Sequence, residues 1–102
     1  MKDYVIGKVE DIPEGGNVAV QIRHMTIAVF RIGNDFYAIH NRCTHKGASL
    51  CDGILDKERK VIRCPWHLWD WSLETGRLEA YPKKKMPVPK VRVENDEIIL
   101  QV

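Results

Sequence analysis

The sequence predicts an all-β domain of short antiparallel strands. Three observations carry this. Apolar and polar residues alternate over runs of about five to seven residues. Gly, Asn and Asp clusters of hairpin length separate those runs. No window of ten or more residues has the spacing of an amphipathic helix. At 102 residues the chain is expected to form one domain, 1–102, as a sandwich or small barrel.

Each element follows from its own residues. "YVIGKV" (4–9) alternates weakly and reads as a first strand. "NVAVQIR" (17–23) alternates cleanly, with Val18, Val20 and Ile22 on one face. After a short break at His24-Met25, "TIAVFRI" (26–32) is β-branched and apolar. "GND" (33–35) has the composition of a tight turn, and "FYAIH" (36–40) follows it. The interval 41–59, "NRCTHKGASLCDGILDKER", fits poorly as strand and is expected to be loop. Loops of that length in compact domains are usually functional. "KVIRC" (60–64) and "LWDWSL" (68–73) are two more strands, with "ETG" (74–76) as the following turn. "YPKKKMPVP" (81–89) reads as a stiff proline-bearing segment. "KVRVE" (90–94), "NDE" and "IILQV" (98–102) make a closing hairpin.

The bulk composition excludes several function classes. Apolar residues make up 44% and charged residues 29%, which fits a soluble globular domain. The formal net charge of +2 and the absence of a basic face with interleaved aromatics argue against nucleic acid. No apolar run approaches the roughly 20 residues of a membrane span, and the first residues lack a secretory pattern. A cytoplasmic location is expected. Three cysteines cannot all pair within one chain, and a reducing compartment disfavours disulfides. Cysteines beside histidines there read first as metal ligands.

Two short stretches carry that chemistry. "CTHKG" (43–47) places Cys43 one residue from His45, and "CPWH" (64–67) places Cys64 two residues from His67. Eighteen residues lie between His45 and Cys64. A lone zinc ion usually takes ligand pairs spaced by two to four residues, so Cys-x-His closes onto it poorly. A binuclear centre relaxes the demand, because neighbouring ligands can go to different metals. Two thiolates and two imidazoles match a [2Fe–2S] cluster with both histidines on one iron. His24 and His40 have no such companion and read as ordinary strand or turn histidines.

Cys-x-His, eighteen residues, then Cys-Pro-x-His resembles the Rieske iron–sulfur signature. "CPWHLWDWSLETG" (64–76) is similar to the second cluster loop and hairpin of bacterial Rieske ferredoxins and of nitrite reductase small subunits. The resemblance implies a small Rieske-like antiparallel β-sandwich with a two-loop cluster-binding part at about 41–80. It implies one [2Fe–2S] cluster per chain, with Cys43 and Cys64 on the inner iron and His45 and His67 on the outer one. Pro82 would belong to a segment that covers the cluster. The chain also departs from the pattern. High-potential members have an extra cysteine in each loop, where this sequence has Ala48 and Trp66. They place Ser and Tyr hydroxyls, which donate to sulfur, where it has Trp69 and Trp71; core packing is expected of both tryptophans, with a lower potential as a result. Leu68 stands where the family often has Gly. Cys51 is expected to be a semi-buried thiol outside the ligand set.

The functional expectation is a one-electron carrier, not a complete enzyme. A Rieske oxygenase would also need a mononuclear iron domain, for which the chain is too short. The first reading is a monomeric ferredoxin taking electrons from a reductase to a terminal oxygenase or similar redox enzyme. Lys83 to Lys85 could steer an acidic redox partner. The alternatives are a non-catalytic Rieske small subunit of a nitrite reductase and, ranked lower, a zinc-stabilised binding module.

Overall fold

The computed structural model describes residues 2–41, 53–64 and 69–102. Eleven strands lie among them: β1 (Asp3–Lys8), β2 (Asn17–Ile22), β3 (Met25–Ile32), β4 (Asp35–His40), β5 (Ile54–Asp56), β6 (Val61–Arg63), β7 (Asp70–Ser72), β8 (Arg77–Leu78), β9 (Tyr81–Lys85), β10 (Lys90–Glu94) and β11 (Glu97–Gln101). One turn of 3-10 helix, Val9–Asp11, follows β1. The strands form three antiparallel sheets, ordered β1-β11-β10, β2-β3-β4 and β5-β6-β7-β8-β9.

β3 explains why three sheets form one body. Successive side chains on a strand point to opposite faces. Ile27 and Val29 are fully buried on one side, with Ile22, Ala38, Ile98 and Leu100. Ala28 and Phe30 are fully buried on the other, with Ile39, Ile62, Trp71 and Leu73. The unbroken apolar run "IAVF" is therefore a strand covered on both faces, so it shows no alternation. β2 lies at the edge of that sheet and alternates only partly. Ile22 is buried, Val20 half-buried and Val18 exposed.

The hairpins close as the sequence anticipates. Ile32 pairs with Asp35 around Gly33 and Asn34, and Gly33 has φ +62°. Glu94 pairs with Glu97 around Asn95 and Asp96, both at positive φ, as a two-residue type I′ turn requires. Two expectations of loop give way to strand. β5 lies inside the interval read as loop, and three residues are too few to show a period. β9 occupies the first half of "YPKKKMPVP". It is the outer strand of its sheet, the position in which proline is tolerated and lysines discourage further pairing.

The third sheet is fastened to the second at several points. Glu14 accepts from Lys57 Nζ at 2.7 Å and from the Gly33 amide at 2.9 Å. The Lys60 ammonium sits over the Tyr37 ring, 5.8 Å from its centroid. Within the third sheet itself, Gly76 in the β7–β8 turn is closely packed against the segment that follows β9. It has φ +78°, and its carbonyl accepts from the Met86 amide at 2.8 Å. A Cβ there would lie 2.2 Å from the Met86 carbonyl oxygen and 2.5 Å from Val88 Cγ2. Gly76→Ala is expected to cost roughly 2 kcal/mol or more, combining left-handed strain with overpacking. Urea unfolding would show a lower midpoint at unchanged slope. A wild-type midpoint would mean that the 86–88 segment yields freely.

Candidate metal centre

Of the four expected ligands, Cys64 lies within the described residues. Cys43, His45 and His67 lie outside them, as do Cys51, Trp66 and Leu68. Cys64 directly follows β6 and is fully buried. The ladder between β6 and β7 pairs Ile62 with Trp71 and Arg63 with Asp70. It ends where the Cys64 amide donates to the Trp69 carbonyl at 2.8 Å. Cys64 and Trp69 therefore stand on the two sides of residues 65–68, the stretch that contains His67. On the other approach, β4 ends at His40, whose amide donates to the Pro87 carbonyl at 3.3 Å. The amide of buried Asn41 donates to Thr26 at 2.8 Å. Asn41 is thus fixed immediately before the stretch that contains Cys43 and His45.

The two faces of the β6–β7 hairpin have opposite chemistry. On the inner face Ile62, Cys64, Trp69 and Trp71 follow from the pairing register, and Cys64 shares a buried cluster with Trp71 and Ile39. The rings of Trp69 and Trp71 meet edge to face, with centroids 6.5 Å apart. Trp71 is fully buried, as core packing requires. Trp69 is half-buried, and the Lys84 ammonium lies 5.4 Å from its ring centroid. The middle lysine of the basic run is therefore held against the hairpin. Pro82 is exposed on β9, and its carbonyl accepts from Arg77 at 2.8 Å. His24 is exposed in the β2–β3 turn and His40 is half-buried at the end of β4.

On the outer face, Arg63 grips Asp70 through two bonds, Nε to Oδ1 at 2.8 Å and Nη2 to Oδ2 at 3.2 Å. Arg59 reaches Asp70 at 3.4 Å and also pairs with Glu79. The sequence reading missed this group. The signal was the register: once strands flank "CPWH", the residue before Cys64 must face Asp70. The hydrogen bond from Arg63 holds the Asp70 carboxyl below its ordinary value of 3.8; partial burial opposes this, and the charges of Arg63 and Arg59 reinforce it. A native pKa depressed in this way stabilises the fold fully above the unfolded value. That contribution is lost as pH falls through the lower native value. Asp70→Asn should therefore be less stable than wild type at pH 7, and the gap should close on acidification below about pH 3.9. Urea unfolding at stepped pH measures it, and a gap that persists undiminished to pH 2 would refute the role given to the pair.

Two features of the inner face suit a sulfur-rich group. A thiolate at a fully buried, largely apolar position needs a cation beside it, which iron supplies. The indole Nε1 of Trp71 is a buried donor without a hydrogen-bond partner among the described residues.

The model of the Rieske [2Fe-2S] domain matches residues 2–93. The chain belongs to the Rieske [2Fe-2S] domain family. The cofactor of a Rieske domain is the [2Fe–2S] cluster that its ligand pattern anticipates. A relative from Ralstonia sp., the ferredoxin component of naphthalene 1,2-dioxygenase/salicylate 5-hydroxylase systems, is 34% identical over 94 residues. That match covers 91% of this chain and 88% of the relative. Among solved structures, a chain in the complex of reduced oxygenase and oxidized ferredoxin of carbazole 1,9a-dioxygenase superposes with a TM-score of 0.86 at 30% identity. The match covers 97% of this Rieske chain and 92% of that one. A putative nitrite reductase NADPH small subunit superposes with a TM-score of 0.88 over 100% of both chains, at 16% identity. That likeness concerns the fold alone. The all-β class and its three antiparallel sheets are those of a Rieske ferredoxin, and no helix among the described residues is long and apolar enough to cross a membrane.

Proposed function

We propose that this Rieske domain is a ferredoxin that accepts one electron from a reductase and delivers it to a terminal oxygenase of a ring-hydroxylating system. The observation that carries the reading is the 34% identity to a dioxygenase ferredoxin component over nearly the full length of both chains. The whole chain, 1–102, is read as one domain, with the cluster-binding part at about 41–80. Within it Cys43 and Cys64 hold the inner iron, and His45 and His67 the outer one. The cluster supplies one-electron chemistry without bond rearrangement. The protein's own share is to hold, shield and orient. Buried Cys64 anchors one end of the site to the core. The Arg63–Asp70 pair locks the strands on either side of "CPWH". Lys84, held over Trp69, puts positive charge beside the same hairpin and favours an acidic partner surface.

Two iron and two sulfide per chain are expected on analysis. Cys43→Ser and Cys64→Ser should abolish the cluster, since a neutral hydroxyl does not replace a thiolate. His45→Ala and His67→Ala should abolish it or leave an unstable remnant, and Cys51→Ser should keep full colour. A colourless Cys51→Ser protein would overturn the ligand assignment.

Stopped-flow mixing of the reduced chain with a dioxygenase terminal oxygenase tests the function. Rapid reoxidation that slows with added salt is expected, with the chain eluting as a monomer on gel filtration. No reoxidation, together with stable co-elution with a nitrite reductase large subunit, would replace this reading by the bound-subunit one.

A further inference from the structure

We propose that the indole N–H of Trp71 donates a hydrogen bond to a sulfur of the bound cluster and thereby favours the reduced protein. The inference rests on the cluster reading above and goes beyond it, assigning an electronic role to a residue expected only to pack.

The starting observation is that Trp71 Nε1 is buried and unpartnered among the described residues. Leaving a buried N–H without an acceptor is costly, and native interiors seldom do so. Most of its surroundings offer nothing. Ala28, Phe30, Ile39, Ile62 and Leu73 share its cluster and have no polar side-chain atom. The charged groups of the hairpin, Arg63 and Asp70, lie on the opposite face of the ladder. Cys64 and Met86 are the sulfur-bearing members of the cluster, and neither accepts from Nε1.

Register then says where a missing acceptor would stand. Trp71 pairs with Ile62, and Cys64 lies two residues beyond Ile62 on the same face. Trp71 and Cys64 are thus diagonal cross-strand neighbours, a separation an indole can bridge. A cluster held by Cys64 would bring further sulfurs to the side of the ladder that Cys64 shares with Trp71. They are the acceptors that the polypeptide around Trp71 lacks.

The effect has a definite sign. Reduction adds one negative charge to the cluster and makes its sulfurs better acceptors. A donor aimed at them stabilises the reduced form more than the oxidised form. Trp71 would then restore one of the two donors whose absence from positions 69 and 71 the sequence suggests. No proton is transferred. The N–H stays on the indole in both states, so the role is a positioning and tuning one.

Trp71→Phe keeps an aromatic ring and removes the donor. We expect protein with unchanged iron and sulfide content. Its preference for the reduced form should be about tenfold weaker, which for one electron is a midpoint about 59 mV lower by voltammetry. Equal iron and sulfide with an unshifted midpoint would overturn the inference while leaving the cluster reading intact. Wild-type protein without iron and sulfide would instead overturn the cluster reading. Should the Phe variant fail to hold its cluster, wild type grown on 15N-indole decides. That label enters only Nε1 of the three tryptophans. A 15N hyperfine coupling to the reduced cluster that survives in Trp66→Phe and Trp69→Phe proteins is the expected signature. Its absence would overturn the proposal.

Discussion

The structure depends on β3 being covered on both faces. A strand with Ile27 and Val29 buried one way and Ala28 and Phe30 buried the other must be sandwiched. One side is closed by β11 through Ile98 and Leu100, the other by the β6–β7 hairpin through Ile62 and Trp71. Side chains of this size are worth about 1.5–3 kcal/mol each when fully buried. Removing either covering sheet would expose several at once. The β6–β7 hairpin is therefore not an appendage on a finished fold. It is one wall of the core, and Cys64 lies in that wall.

This arrangement separates two jobs across one thin ladder. The inner face is buried and largely apolar, with Cys64 packed among Ile62, Trp71 and Ile39. The outer face holds Arg63, Asp70, Arg59 and Glu79 in a contiguous charge group. Asp70 is 15% exposed and is held by Arg63 through two bonds, with Arg63 itself open to solvent on its other side. Strand geometry alone makes this possible, because neighbouring residues alternate between the faces. Arg63 and Cys64 are adjacent in sequence and serve different sides.

The edges of the third sheet are handled by composition. β9 presents Tyr81, Pro82 and three lysines, a poor template for another strand. The same lysines put three positive charges on this edge of the sheet. Lys84 is the one tied to the hairpin, through the ring of Trp69. Edge protection and partner steering are thus compatible uses of one short segment.

By itself the sequence determined the all-β class, the hairpin turns and membership of the Rieske family. Alternation, Gly/Asn/Asp punctuation and the Cys-x-His and Cys-x-x-His spacings are all local signals. It did not reveal β5 or β9. Three residues show no period, and proline with lysines resembles loop until an edge is known. It placed Trp71 in the core but could not show that its N–H lacks a partner, which depends on residues distant in sequence. The double coverage of β3, the Arg63–Asp70 lock and the diagonal relation of Trp71 to Cys64 were decided by tertiary structure. Each is a statement about which strand lies opposite which, and register is set by the packing of whole sheets rather than by any one segment.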